Sequence, residues 1–161
     1  MSNLKIPKNV KIIVSDFDGI MTDNCVYIDE DLKISRKVNF KDIMAVSLLR
    51  KANFELGFIS GENNPIMELL KEKFNLDEIH QNIRCKIDVL KDIASRKNLK
   101  PEEILYIGDD INDIDCLNFA GVKITVPNST YKVKLVENIQ ITSETGGNGA
   151  FREVVDCLLN S

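Results

Sequence analysis

The sequence predicts an α/β fold: a central parallel sheet in a three-layer arrangement, with helices on both faces. Three observations carry this. Short apolar runs, Val10 to Ser15 (rich in β-branched residues), Phe54 to Ile59 and Ile104 to Ile107, alternate with helical stretches. The first and third runs are nearly continuous in apolar residues, as strands buried on both faces are. The connections are short, so strand and helix follow one another in a single unit spanning 1–161, with no second domain.

Each element follows in order. The first strand runs through Ile12-Ile13-Val14-Ser15 and ends at Asp16-Phe17-Asp18-Gly19. Val26-Tyr27-Ile28 and Ile34 to Val38 flank Asp29-Glu30-Asp31-Leu32-Lys33, which predicts a small β-hairpin insertion over about 25–38 with a polar tip. Asp42 is expected to cap a helix carrying Ile43, Met44, Val46, Leu48 and Leu49. Phe54 to Ile59 forms a second core strand. Asn64 and Pro65 then sit as N-cap and first residue of a helix through Phe74. Glu78 to His80 reads as a short strand, its histidine the sole one and without a partner cluster to bind metal. A helix from about Lys86 to Lys97 stops before Pro101, and the strand Ile104 to Ile107 leads into a helix from Ile111 to Ala120, ended by Gly121. Val122 to Val126 and Ile139 to Ile141 are further strands, and Gly146-Gly147-Asn148-Gly149 precedes a last helix to Leu159.

Composition narrows the function classes. The 161 residues are 43% hydrophobic and 29% charged, values ordinary for a globular domain. A net charge of −4 and a pI near 5.1 leave no electrostatic footprint for nucleic acid. No apolar stretch approaches a membrane span, and Met1 to Asn9 lacks the core of a signal peptide. Cys25, Cys85, Cys116 and Cys157 lie far apart, which suits free thiols in a reducing, cytoplasmic setting.

The chemistry sits at three strand ends. The first strand ends at Asp16 and Asp18, the second at Ser60-Gly61, and Ile104 to Ile107 at Gly108-Asp109-Asp110-Ile111-Asn112-Asp113. Ligands of open α/β sheets bind at carboxyl ends of strands. If these strands are neighbours, five carboxylates meet in one crevice. Like charges that close raise one another's pKa values. A hard divalent cation resolves the conflict, and oxygen ligands suit Mg²⁺. Lys86 is the candidate positive side chain. A carboxylate, a hydroxyl, a lysine and a cation form a kit for phosphoryl transfer through an aspartyl-phosphate. A calcium loop is the rival for Asp16 and Asp18, but it needs glycine at its sixth position, where Met21 stands. Asp109 and Asp110 could serve only as a helix cap, Lys86 as a solvated lysine and Ser60 as a turn residue.

Taken together, these motifs resemble the haloacid dehalogenase superfamily, a Rossmann-like fold, in its capless phosphatase type. Within it the chain is most similar to the group that hydrolyses 3-deoxy-D-manno-octulosonate 8-phosphate and nonulosonate 9-phosphates, the latter including the KDN and N-acylneuraminate esters. The resemblance implies Asp16 as nucleophile and metal ligand. It implies Asp18 as acid/base, with its main-chain carbonyl on Mg²⁺, and Asp109 as third ligand. Ser60, Gly61 and Lys86 then hold the phosphoryl group, while Asp110 and Asp113 orient waters and Lys86. The resemblance also implies a homotetramer, with the hairpin, and Tyr27 and Ile28 in it, joining a central barrel; an ordinary hairpin packed on its own sheet is the alternative.

Substrate choice falls on other positions. Glu62 stands where the octulosonate enzymes are expected to carry arginine after the glycine, and resembles the nine-carbon group instead. Leu70 also replaces an expected arginine. Lys73 is a candidate cation for a neighbouring subunit's site, and Arg152, in a C-terminal signature from Gly146 to Glu153, a candidate for a substrate carboxylate or a helix-start pair. The expected function is a Mg²⁺-dependent phosphatase of a sugar-acid phosphate. Two other classes compete: a non-catalytic oligomerisation module of the kind fused to sugar cytidylyltransferases, and a signalling receiver domain. Asp18, two residues past the nucleophile, favours hydrolysis over a lasting phospho-aspartate.

Overall fold

The computed structural model describes residues 3–160; Met1, Ser2 and Ser161 lie outside them. The element order is β1 (Ile12–Ser15), β2 (Tyr27–Ile28), β3 (Ile34–Ser35), α1 (Phe40–Lys51), β4 (Glu55–Ile59), α2 (Pro65–Phe74), β5 (Glu78–His80) and α3 (Lys86–Arg96). It continues with β6 (Ile104–Ile107), α4 (Ile114–Phe119), β7 (Val122–Thr125), α5 (Tyr131–Lys134), β8 (Gln140–Ile141) and α6 (Ala150–Leu159). Six strands form one sheet in the order β5-β4-β1-β6-β7-β8, every neighbouring pair parallel. No cap domain is present among the described residues. None of their helices is long and apolar enough to cross a membrane.

The apolar runs are continuous because alternate residues feed two cores. In β1, Ile13 packs with Phe17, Phe58 and Phe151 on one face. Ile12 and Val14 pack with Leu90, Ile93 and Tyr106 on the other. The order of the sheet decides where function lies. From β1 the chain builds outward through β4 and β5 on one side, then crosses back by α3 to β6 and builds outward through β7 and β8 on the other. A crevice opens at the carboxyl ends of such a switch point.

Three elements differ from expectation. Asn39, not Asp42, caps α1: its Oδ1 accepts from the Lys41 N–H at 2.8 Å. Asp42 lies inside the first turn and is fully buried. Its carboxylate crosses to the start of α6, accepting from the Gly149 N–H at 3.1 Å and the Arg152 N–H at 2.9 Å. The expected helix from Ile111 begins as a 3-10 turn over Ile111–Asp113 before α4. The four-residue α5 carries too short an apolar pattern for the sequence to show it.

The hairpin does not join the main sheet. β2 and β3 pair antiparallel as Tyr27↔Ser35 and Ile28↔Ile34, and a Thr22↔Val38 bridge closes the stem. Tyr27, Ile28 and Ile34 stay more than half exposed, at 56%, 59% and 58%. All four cysteines are unpaired.

Candidate active site

β1, β4 and β6 are adjacent, so their ends meet. A crevice of about 210 Å³ is lined by Asp16, Asp18, Ser60, Gly61, Glu62, Lys86, Asp109 and Asp110, together with Asn24 and Asn112. Eight of the sequence-selected residues, Glu62 among them, therefore share one crevice. Asp113 lies directly beneath it, fully buried. Lys73 and Arg152 are not in this crevice. Lys73 is exposed on α2, its ammonium 5.4 Å from the Phe74 ring centroid. Arg152 pairs with Asp156 at 2.7 Å beside a separate groove of about 770 Å³ along α6. That groove is the larger of the two, but Asp16, Asp109 and Lys86 are all absent from its walls.

The charge arrangement is specific. Lys86 opens α3, and its ammonium is shut off from solvent. Nζ sits 2.8 Å from Asp16 Oδ1 and 2.8 Å from Asp113 Oδ1. Asp113 is the hub: Oδ1 accepts from Lys86 and from the Tyr106 hydroxyl at 2.8 Å, while Oδ2 accepts from the Asp109 and Asp110 N–H groups at 3.1 and 3.2 Å. Asp16 Oδ1 also accepts from the Phe17 N–H at 2.7 Å. Of Asp110 and Asp113, the pair assigned to orienting waters and Lys86, Asp113 is the one that touches Lys86, while Asp110 Oδ1 accepts from the Ile111 N–H at 2.7 Å and caps the turn there. Asp110 and Asp113 stand three positions apart, and the 3-10 turn over Ile111–Asp113 sends their carboxylates in different directions.

Three buried carboxylates, Asp16, Asp109 and Asp113, thus face one ammonium, a shortfall of two positive charges. Burial, and next the Asp113 charge, push the Asp16 carboxyl well above its ordinary range despite Lys86. Burial and Asp113 likewise push Asp109 up to about 6. Burial works against the Lys86 charge, but Asp16 and Asp113 outweigh it and hold the ammonium above the usual lysine value. A divalent cation fits this deficit. Donor oxygens of Asp16, Asp109 and Asp113 lie within 4.8 Å of one another. Asp113 is already committed to four donors, which leaves Asp16 and Asp109 as the available side-chain ligands. Asp18 Oδ2 is buried without a hydrogen-bond partner, a further unsatisfied oxygen at the same place.

The loop holding Asp18 depends on close backbone approach. Gly19 has φ +91°, and a β-carbon there would fall 2.1 Å from Asp109 Oδ2. Gly146 packs on the same loop, where a β-carbon would meet the Gly19 carbonyl oxygen at 1.7 Å. The glycine-rich signature before α6 therefore shapes the crevice from behind. Ser60 is fixed by its N–H to the His80 carbonyl at 2.9 Å, and its Oγ accepts from the Glu62 N–H at 3.1 Å.

Sequence reasoning missed Asn24, Asn112, Tyr106 and Arg36. Asn24 Nδ2 donates to Asp109 Oδ2 at 3.1 Å from a left-handed backbone, φ +64°. Arg36 Nε stands 3.3 Å from Asp18 Oδ1. Only Tyr106 left a trace, as a hydroxyl inside the aliphatic run Ile-Leu-Tyr-Ile.

Comparison with known proteins agrees with this geometry. Residues 21–153 match the haloacid dehalogenase-like hydrolases, a match that begins just after Asp16 and Asp18. The 3-deoxy-D-manno-octulosonate 8-phosphate phosphatase of Haemophilus influenzae is 26% identical over 96% of this chain and 85% of its own length. The crystal structure of the enzyme of that name from Moraxella catarrhalis, in complex with magnesium ion, phosphate ion and KDO, is 27% identical, with a TM-score of 0.88 over 95% of this chain and 87% of that one. The cobalt-bound form of the Haemophilus influenzae phosphatase is 25% identical, with a TM-score of 0.86 over 95% of this chain and 89% of its own. With a sheet, a switch-point crevice and an acidic cluster of this kind, the chain belongs to the haloacid dehalogenase-like hydrolases, as a phosphoric monoester hydrolase of their capless type.

Proposed function

We propose that this protein is a Mg²⁺-dependent phosphatase of a sugar-acid phosphate, with a nonulosonate 9-phosphate as substrate. The observation carrying the substrate class is Glu62, which lines the crevice next to Ser60 and Gly61. A carboxylate there accepts hydrogen bonds from sugar hydroxyls or an amide, whereas arginine would pair with a substrate carboxylate. A second reading, the octulosonate 8-phosphate, is favoured by the names of the relatives.

In the proposed reaction an Asp16 carboxylate oxygen attacks phosphorus. The bond to the leaving sugar oxygen breaks, and Asp18 gives that oxygen its proton. Asp18 then takes a proton from water, whose oxygen attacks the aspartyl-phosphate and releases inorganic phosphate and free Asp16. Lys86, held between Asp16 and Asp113, offsets charge on the transferring group. Ser60 Oγ and the Gly61 backbone bind its oxygens. Asp16, Asp109 and the Asp18 carbonyl would hold Mg²⁺, which supplies Lewis-acid neutralisation of the phosphoryl oxygens when bound.

The exposed apolar face of the hairpin is read as the contact for further copies in a homotetramer, which would bring Lys73 of one subunit towards the crevice of another. Light scattering after size exclusion measures that state.

The deciding experiment is phosphate release from octulosonate 8-phosphate and nine-carbon 9-phosphates, with and without Mg²⁺, for the wild type and Asp16→Asn. Activity on the nine-carbon esters, lost without Mg²⁺ and in the variant, is expected. Preference for the eight-carbon ester overturns the role given to Glu62. Turnover by Asp16→Asn overturns the nucleophile, and silence on every ester favours a non-catalytic module.

A further inference from the structure

Asp18 is held unevenly. Its Oδ1 accepts from the Thr22 hydroxyl at 3.2 Å and faces Arg36 Nε at 3.3 Å. Its Oδ2 is buried and has no partner. Arg36 follows directly on β3, in the returning stem of the hairpin. That stem is tied to the Asp18 loop by the Thr22↔Val38 bridge and by Lys37 Nζ, 3.1 Å from Asp23 Oδ2. The Arg36 and Asp18 side chains are only 17% and 21% exposed, so water competes less for this pair than for an open surface pair.

We infer that Arg36 is a positioning residue for Asp18: with Thr22 it holds Oδ1 and so fixes the plane of the carboxylate at the crevice. This rests on the acid/base role of Asp18 proposed above. A carboxylate free to rotate presents either oxygen. One gripped by a guanidinium and a hydroxyl has its plane set, and general acid catalysis depends on a donor within hydrogen-bond reach of the leaving oxygen. The residue belongs to the insertion rather than to the sheet. The hairpin therefore carries part of the catalytic geometry, and is not only a contact surface. Arg36 does not line the crevice itself, which separates this role from phosphate binding.

The test compares phenyl phosphate with p-nitrophenyl phosphate, two esters of similar shape whose leaving groups differ in their need for a proton. Wild type, Arg36→Ala and Arg36→Lys are assayed with Mg²⁺, and thermal melting is recorded for each. In Arg36→Ala, kcat on phenyl phosphate is expected to fall about tenfold or more, a fraction of the ~10²–10⁴ that a general acid contributes. KM should stay within about twofold, the loss on p-nitrophenyl phosphate should be smaller, and Arg36→Lys should recover most of the rate. Should Arg36→Ala fail to fold, the same leaving-group contrast is read in Arg36→Gln, which keeps most of the side chain and removes its charge. An unchanged kcat, an equal loss on both esters, or a change confined to KM overturns the inference. A wild type inactive on both esters overturns the phosphatase reading as well, a result distinct from an active wild type with an unaffected variant.

Discussion

Lys86 Nζ lies 2.8 Å from Asp113 Oδ1, and both side chains are completely shut off from solvent. Asp113 also takes the Tyr106 hydroxyl and two backbone N–H groups, so its removal strands four donors at once. Breaking a buried pair from one side costs about 3–5 kcal/mol. Asp113→Leu should lose about that much in urea denaturation. Asp110→Ala removes only a cap and should lose about 0.5–2 kcal/mol. Equal losses would show that the two acids share one role.

Asp109 has a folded pKa of about 6, above the ordinary 3.8. The folded state thus binds that proton more tightly than the unfolded chain does. Its stabilising contribution is full below about pH 4 and is lost as pH rises through about 6. Without a divalent cation, Asp109→Asn should therefore melt higher than wild type at pH 7, with the gap closing by about pH 4. Added Mg²⁺ should raise the wild-type melting temperature at pH 7 and leave the variant nearly unmoved.

Asn24 holds Asp109 from a left-handed backbone that glycine adopts without strain. Asn24→Gly deletes the amide while keeping the turn. It should weaken Mg²⁺ binding by about 10-fold in calorimetry, the low end of the roughly 10- to 100-fold loss that follows when a group orienting a metal ligand is removed. Unchanged affinity would make Asn24 a turn residue only.

Asp42 ties α1 to α6 by accepting from the Gly149 and Arg152 N–H groups. Asp42→Ala should cost about 0.5–2 kcal/mol, as loss of a helix cap does. Asn39→Ala should cost a similar amount by uncapping α1. Because the two caps serve different helices, the double variant should lose close to the sum of the two.

The class of fold and the three strand ends that meet at the crevice were readable from the chain. Apolar runs report burial, and carboxylates placed just past them report position along a strand, both local properties. The same locality explains the errors. Asp42 has the right type and place for capping its own helix, and only the packing of α6 against α1 gives it another. Asp110 and Asp113 look alike in sequence, but the 3-10 turn between them points one into the Lys86 pair and leaves the other at the turn's edge.

The parallel α/β layering, the acidic residues at the ends of β1 and β6, and the lysine opening α3 are all written in the chain. These follow from short-range patterning of apolar and charged residues. The tertiary structure alone decided that β4, β1 and β6 are neighbours, and so that the carboxylates crowd into a shortfall of positive charge. It also decided that Asn24 and Arg36, from the hairpin stems, grip Asp109 and Asp18. The physical reason is distance along the chain: Asn24 and Asp109 are 85 residues apart, and no local pattern records a contact that only sheet order brings about.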